Sequence, residues 1–251
     1  MSSTTSGASS SLPTDARRGQ RTPARANGVS RSPRPKDAAT LVLVRDGANG
    51  PEVLMGRRPR RTVFMPDQYV FPGGGVEPCD RWVRPATELR PAVAARLTRA
   101  CTPGRARSLA AAAVRETFEE TGLALGRPAP AVNGRLRPEW RDFHATGLAP
   151  ALDRLDYIYR AVTPPGLPRR FNARFFLADA ADAAGTLGGN GELLDLRWVT
   201  VTEAMGLPLP YITAVVLEEV EHMYASPPDP DRDRPVPVCI RVGPGHVHAH
   251  E

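Results

Sequence analysis

The 251-residue sequence predicts an α/β fold held in one domain, residues 37–225, between a basic N-terminal tail, residues 1–36, and a Pro- and Asp-rich C-terminal segment, residues 226–251. Three observations predict it: short β-rich runs bounded by turn residues, one long capped helix, and a last amphipathic helix, in a chain whose 41% hydrophobic content is enough for a sizeable core. ATLVLVRDG and PEVLMGRR flank a Gly-Ala-Asn-Gly turn and read as a hairpin. A third run, QYVFPGGG, ends in glycines. Residues 81–107 are partly helical in pattern but interrupted by Pro85, Pro91 and Pro103. Ser108 then caps LAAAAVRETFEET, and Gly122 stops it. PEWRDFHATG reads as helical, YIYRAV, FNARFFLA and LLDLRWVTV as strands, and ITAVVLEEVEHMY as the last helix. The C-terminal segment reads as irregular.

The net charge of +6 invites a nucleic-acid partner until the charges are located. Residues 1–36 hold Arg17, Arg18, Arg21, Arg25, Arg31, Arg34 and Lys36 against Asp15 alone, which accounts for the whole excess. The remainder is formally neutral, so nucleic acid is not expected as a partner. The tail lacks large apolar residues and reads as disordered. No apolar run reaches the roughly 20 residues of a membrane span, which predicts a soluble protein without a membrane partner. Cys79, Cys101 and Cys239 form no CxxC pair, and an odd, scattered set fits neither a disulfide framework nor a zinc site, pointing to a reducing cytoplasm.

The chemistry lies in RETFEETG. At about 100° per residue, Glu116, Glu119 and Glu120 share one narrow face of the helix, opposite Ala110, Ala111, Val114 and Phe118. Like charges at that spacing destabilise a helix, and a divalent cation is the natural compensation; carboxylate oxygens suit Mg²⁺ or Mn²⁺. Arg115 stands beside them and can hold one glutamate in place. Upstream, the strand that runs into Gly73, Gly74 and Gly75 puts backbone where a phosphate or metal can approach closely.

Together these stretches resemble the signature of the Nudix hydrolases: Gly, five residues, Glu, seven residues, Arg-Glu-apolar-x-Glu-Glu-x-Gly-apolar. Gly74 opens it, Asp80 takes the place of the first Glu, and Arg115, Glu116, Glu119, Glu120, Gly122 and Leu123 match the rest, with Thr117 at an apolar place. Residues 81–107 interrupt it after Asp80. A box split in this way, with MGRRPRRTVFMPDQYVFPGG, RAVTPPGLPRRFNARFFLA and LRWVTVTEAM, resembles the branch that contains the peroxisomal coenzyme A diphosphatase and its bacterial relatives. The coenzyme A signature is matched only loosely, by Arg57, Arg58 and MPDQYVFPGG, and no peroxisomal C-terminal tripeptide is present.

The resemblance implies an α/β/α sandwich around a mixed sheet and a hydrolase of diphosphate bonds. By motif position, the Gly73 carbonyl, Glu116, Glu119 and Glu120 would hold Mg²⁺ or Mn²⁺, with Arg115 among the catalytic residues and Gly74 and Gly75 against the substrate. Glu192, in a late glycine-rich loop, is a candidate further metal ligand or base, and Arg57 and Arg58 are candidate phosphate clamps. The implied partner is a small nucleoside diphosphate-type molecule, either coenzyme A or its acyl forms, or NADH, ADP-ribose or another such derivative. A catalytically silent nucleotide sensor is a third reading, against which the intact RETFEETG argues. The oligomeric state is left open, a homodimer being admitted. The position of residues 81–107 beside the glycines suggests a wall or lid over the substrate. His246, His248 and His250 read as a floppy end rather than a metal site, and Trp82, unlike Trp140 and Trp198, is placed to meet a substrate.

Overall fold

The structure is a computed structural model that describes residues 33–130, 137–242 and 245–251. It is built on β1 (Lys36–Gly47) and β2 (Gly50–Arg57), which pair antiparallel with Gly47 opposite Gly50, so the expected hairpin forms. The chain continues through β3 (Tyr69–Val70), β4 (Gly73–Gly75), α1 (Pro91–Thr98), α2 (Pro103–Thr121), β5 (Leu123–Pro128), α3 (Arg141–Ala145), β6 (Leu148–Pro150), β7 (Asp156–Val162), β8 (Phe171–Asp179), β9 (Ala183–Gly185), β10 (Leu194–Thr200), α4 (Val201–Met205), α5 (Tyr211–Ala225), β11 (Pro237–Val242) and β12 (Gly245–His250). The main sheet runs β10-β2-β1-β8-β7-β11-β12, with β3 on β2 and β4 on β1, and a small second sheet runs β6-β5-β9. Pairings β1–β8 and β7–β11 are parallel, which makes the sheet mixed.

Alternation along β1 sorts its side chains to two cores. Ala39, Leu41 and Leu43 pack with the alanine-rich face of α2, while Val42 packs with Val216, Leu217 and Val220 of α5. Each fully buried leucine contributes about 2 kcal/mol of apolar transfer. The sheet therefore lies between α2 and α5, the expected α/β/α arrangement. On α2 the apolar face is the one the sequence indicates, with Ala110, Ala111 and Val114 fully buried and Phe118 packed beside them.

Two sequence expectations change here. The helix begins at Pro103 rather than at Ser108: Thr102 Oγ1 accepts from Arg105 N–H at 3.3 Å, Pro103 occupies the first turn, where its missing donor costs nothing, and Ser108 Oγ turns back to Gly104 O at 2.9 Å. The far end matches, with Gly122 in the left-handed conformation at φ 76°. The C-terminal segment is not irregular throughout. β11 and β12 form a hairpin that extends the sheet from β7. It is fastened at Glu251, whose carboxylate accepts from Tyr157 Oη at 2.6 Å and Arg160 Nη1 at 2.5 Å. The tail expected over residues 1–36 lies outside the described residues up to Ser32, and Lys36 already opens β1. No described helix is long and apolar enough to cross a membrane.

Residues 81–107 belong to the core. Val83, Val93, Leu97 and Ala106 join the cluster under α2, and Arg96, fully buried, donates to Asp156 of β7 at 2.6 Å. Their two ends meet: Arg107 donates from Nη1 to Arg81 O at 3.1 Å and from Nη2 to Val83 O at 2.6 Å. The segment packs as structure on the α2 side.

Candidate active site

The two halves of the interrupted motif meet where β4 and α2 lie against each other. β4 hydrogen-bonds to β1 with Gly73 opposite Thr40 and Gly75 opposite Ala38, which fixes the glycines above the last turns of α2. The closeness of this approach requires glycine at Gly73, where the neighbour is backbone, and at Gly74 glycine leaves room for the Glu116 side chain. A Cβ on Gly74 would stand 2.5 Å from the Glu116 carboxyl carbon, and one on Gly73 would stand 2.6 Å from Ala39 O. Gly73 N–H donates to Glu120 Oε2 at 2.8 Å.

Arg115 joins the halves at the other end of this contact. Its Nε donates to Asp80 Oδ1 at 2.8 Å and its Nη2 to Asp80 Oδ2 at 3.1 Å and Gly75 O at 3.0 Å. Nη1 lies 2.9 Å from Glu116 Oε1 and 3.0 Å from Glu119 Oε2. Burial disfavours the charged guanidinium, but the Asp80 hydrogen bond and the charges of Glu116, Asp80 and Glu119 outweigh it and raise its pKa. Asp80 is fully buried and also accepts from Glu77 N–H at 2.8 Å. The residue at the first Glu position thus holds Arg115, a role that its place in the motif did not reveal.

The three glutamates are less exposed than a wet cleft would leave them. Burial pushes Glu116 up to about 7, with Glu119 and Asp80 adding to the rise and Arg115 opposing it. Burial also raises Glu119, again against Arg115, and the charge of Glu192 adds to the rise. Glu120, at 5% exposure, is pushed by burial up to about 8; Gly73 N–H and the charge of Arg58 oppose this, and Glu116 and Glu192 add to it. Glu192 itself is exposed. Its loop is tied to the end of α2 by Gly188 N–H donating to Thr121 O at 2.9 Å, and Asn190 brackets it, accepting from Glu192 N–H at 2.9 Å and donating to its carboxylate at 3.2 Å.

The arginines at the end of β2 divide. Arg57 donates to Asp67 at 2.8 Å, where Arg60 also donates at 2.6 Å, and so fastens the β2–β3 loop. Arg58 faces a cavity of about 200 Å³ that opens from Gly73 and Gly74, with Phe64, Phe171 and Ile212 among its walls, and its Nε is buried without a partner. None of residues 81–107 lines this cavity, whereas Thr62, Phe64 and Met65 of the β2–β3 loop do. Met65 and Asp67 hold that loop at positive φ, 52° and 58°. Trp82 is 60% exposed under Arg81 and lines no part of the cavity, Trp140 is core, and Trp198 packs beneath Arg45. Cys79 is a buried thiol pushed up to about 12 by desolvation and the neighbouring Asp80, unsuited to nucleophilic work.

The NUDIX domain family model matches residues 35–220. The chain belongs to the Nudix family. It is similar to the NUDIX hydrolase from Alicyclobacillus acidocaldarius, at 31% identity over 75% of this chain and 92% of that one, with a TM-score of 0.58. More distant are the Nudix hydrolase RenU from M. smegmatis, at 19% identity over 78% and 90% of the two chains with a TM-score of 0.43, and a C. elegans Ap4A hydrolase, at 14% over 76% and 98% with 0.44. No curated protein sequence matches. As a Nudix chain it is a hydrolase of diphosphate bonds in small nucleoside diphosphate-type molecules, a family that generally works with divalent cations.

The residues suit such a cation by chemistry. Glu116, Glu119 and Glu120 offer only hard oxygen donors, and the bare Cα of Gly74 leaves the Glu116 carboxylate unobstructed. No three His, Cys, Asp or Glu side chains among the described residues converge as a finished cage. In this conformation Glu116 and Glu119 turn to Arg115, and Glu120 to Gly73 N–H.

Proposed function

We propose that this Nudix hydrolase cleaves the diphosphate of coenzyme A or an acyl-coenzyme A, giving adenosine 3′,5′-bisphosphate and a phosphopantetheine. One observation carries the choice. The cavity beside the glycines is lined mostly by the two stretches that resemble the coenzyme A branch, Met55–Gly74 supplying Arg58, Phe64 and Phe71, and Arg160–Ala178 supplying Arg169, Phe171 and Phe175. Branch resemblance and this cavity therefore fall on the same residues. Aromatic walls and two guanidinium groups suit the nucleotide half of such a molecule.

In this reading Glu116, Glu119, Glu120 and the Gly73 carbonyl hold Mg²⁺ or Mn²⁺. When bound, the cation neutralises diphosphate charge and acidifies a water. Arg115 keeps Glu116 and Glu119 in register with the glycine loop, Arg58 takes a phosphate oxygen beside Gly74 and Gly75, and Arg57 keeps the cavity wall in place through Asp67. Glu192 contributes an exposed negative charge at the edge of the carboxylate group. The domain is proposed to span residues 37–225 with 81–107 inserted in the box, and to work in the cytoplasm.

Turnover of coenzyme A, acetyl-coenzyme A, NADH, ADP-ribose and nucleoside triphosphates with Mg²⁺ or Mn²⁺ tests the reading. Coenzyme A or its acetyl form is expected to give the highest kcat/KM, with both phosphorylated products seen by chromatography. A higher value for NADH or ADP-ribose would replace this substrate by that one, and no turnover of any would favour the silent sensor.

A further inference from the structure

Two arginine pairs flank the cavity, Arg57–Arg58 after β2 and Arg169–Arg170 before β8. In each pair one member serves the fold. Arg57 is held by Asp67, and Arg170 donates to Thr163 O at 3.0 Å and Pro33 O at 2.9 Å. The other members, Arg58 and Arg169, line the cavity, and among the described residues neither guanidinium has a hydrogen bond or ion pair. Among the described residues no carboxylate lines the cavity, so a cation stands at each of its two ends.

The two cations belong to different ends. Arg58 lies with Gly73 and Gly74, where its charge reaches Glu120. Arg169 lies two residues before Phe171, which pairs with Lys36 on one side of β1, whereas Gly73 pairs with Thr40 on the other. Four residues along β1 and two strand spacings across it separate these points, about 13 Å and about 10 Å in ordinary sheet dimensions. On the glycine side of Arg169, Phe64 and Phe171 meet edge to face at 5.3 Å, with Thr62 and Thr163 adding hydroxyls to the wall. A diphosphate at the glycine end leaves an aromatic midsection for a base and a second cation beyond it.

From this arrangement we infer that Arg169 recognises a second phosphate on the substrate, a monoester on the ribose remote from the diphosphate. The inference rests on the reading that this cavity holds the nucleotide half, and it makes the chain selective for nucleotides with that extra group over those that lack it. A monoester near two negative charges is the anion a free guanidinium fork fits best, through paired charge-assisted hydrogen bonds. Such a group occurs on the 3′ oxygen of coenzyme A and on the 2′ oxygen of phosphorylated nicotinamide dinucleotides.

Calorimetric binding to the full chain separates these cases without reading hydrolysis. Adenosine 3′,5′-bisphosphate, adenosine 2′,5′-bisphosphate and AMP serve as probes, against wild type and Arg169→Gln. Arg169 is exposed and has no side-chain hydrogen bond or ion pair among the described residues, so the variant is expected to melt like wild type. One bisphosphate should bind wild type about tenfold or more tighter than AMP, and R169Q should abolish that ratio. The favoured isomer identifies the source, 3′ for coenzyme A and 2′ for the nicotinamide type. Equal binding of the three by wild type, no binding of any, or an equal loss for all three in R169Q overturns the inference. Failure to hydrolyse coenzyme A would instead count against the substrate proposed above, and a retained R169-dependent ratio would survive it.

Discussion

Asp80 and Glu120 are two buried carboxylates at opposite ends of one helix-to-loop contact, and they are treated differently. Asp80 receives two hydrogen bonds from Arg115 and one from Glu77 N–H, so its charge is matched where it stands. Glu120 receives one backbone hydrogen bond, from Gly73, and is pushed up to about 8 by burial. Within a single motif, one acid is neutralised by the fold and the other is left short of positive charge. The first end is framework. The second is where a cation from solution would be stabilised most, so it is the end at which chemistry is expected.

The same substitution at the two positions should therefore act in opposite ways. Asp80→Asn leaves the buried guanidinium of Arg115 short of its main partner and is expected to cost about 3 to 5 kcal/mol in denaturant unfolding. Glu120→Gln keeps an acceptor for Gly73 N–H and removes an unfavourable buried charge, so at pH 8 its stability should equal or exceed that of wild type. Its turnover with Mg²⁺ should nonetheless fall on the order of a hundredfold to a thousandfold. Equal destabilisation by the two variants would break the comparison, because Glu120 would then be framework as well.

The contrast also has a pH signature in protein treated with EDTA. An acid with a raised folded-state pKa adds no penalty below its unfolded value near 4.5, where both states are protonated. As pH rises toward about 7 for Glu116 and about 8 for Glu120, the unfolded chain ionises first and the fold loses stability. The slope is at most about 1.4 kcal/mol per pH unit for each group. Metal-free wild type is thus expected to melt lower at pH 8 than at pH 5, E120Q to show a flatter profile, and added Mn²⁺ to recover more stability at the higher pH, since carboxylates bind it ionised. A wild-type profile as flat as that of E120Q would place Glu120 in a better solvated or better paired setting.

How much of this was legible in the sequence depended on how local the cause was. The glutamate face of α2, its apolar face and its glycine stop follow from spacing alone. Pro91 and Pro103 read as interruptions, yet both stand in the first turn of a helix, where proline is tolerated; the alternative depends on which residue caps, here Thr102. β11 escapes notice because its partner, β7, is far away in sequence and Pro and Asp dominate the segment before it. The packing of residues 81–107 was hidden for a related reason. Nearness in sequence to the glycines says nothing about which side of the sheet residues 81–107 take, and Arg96 with Asp156 draws them to the α2 side. The burial of Glu120 against Gly73 and the commitment of Asp80 to Arg115 depend on packing between segments 47 and 35 residues apart, which periodicity does not carry.

Glu192 offers the smallest test of the comparison. Its charge raises both Glu119 and Glu120, so it acts on the uncompensated end, yet the carboxylate is exposed and its contacts are with Asn190. An exposed charge acts through solvent and is screened by salt. Glu192→Gln is therefore expected to lower kcat/KM about fivefold or less, to lose that effect as ionic strength rises, and to leave unfolding unchanged. Those three outcomes would make it a contributor to the local field. A salt-independent loss of a hundredfold or more, with the alkaline or acid limb of the rate profile removed, would show instead that the loop closes on the substrate and delivers Glu192 as a base. In that case positive compensation at Glu120 would be only half of the site, and the Gly188–Thr121 tether would hold the other half in reserve beside it.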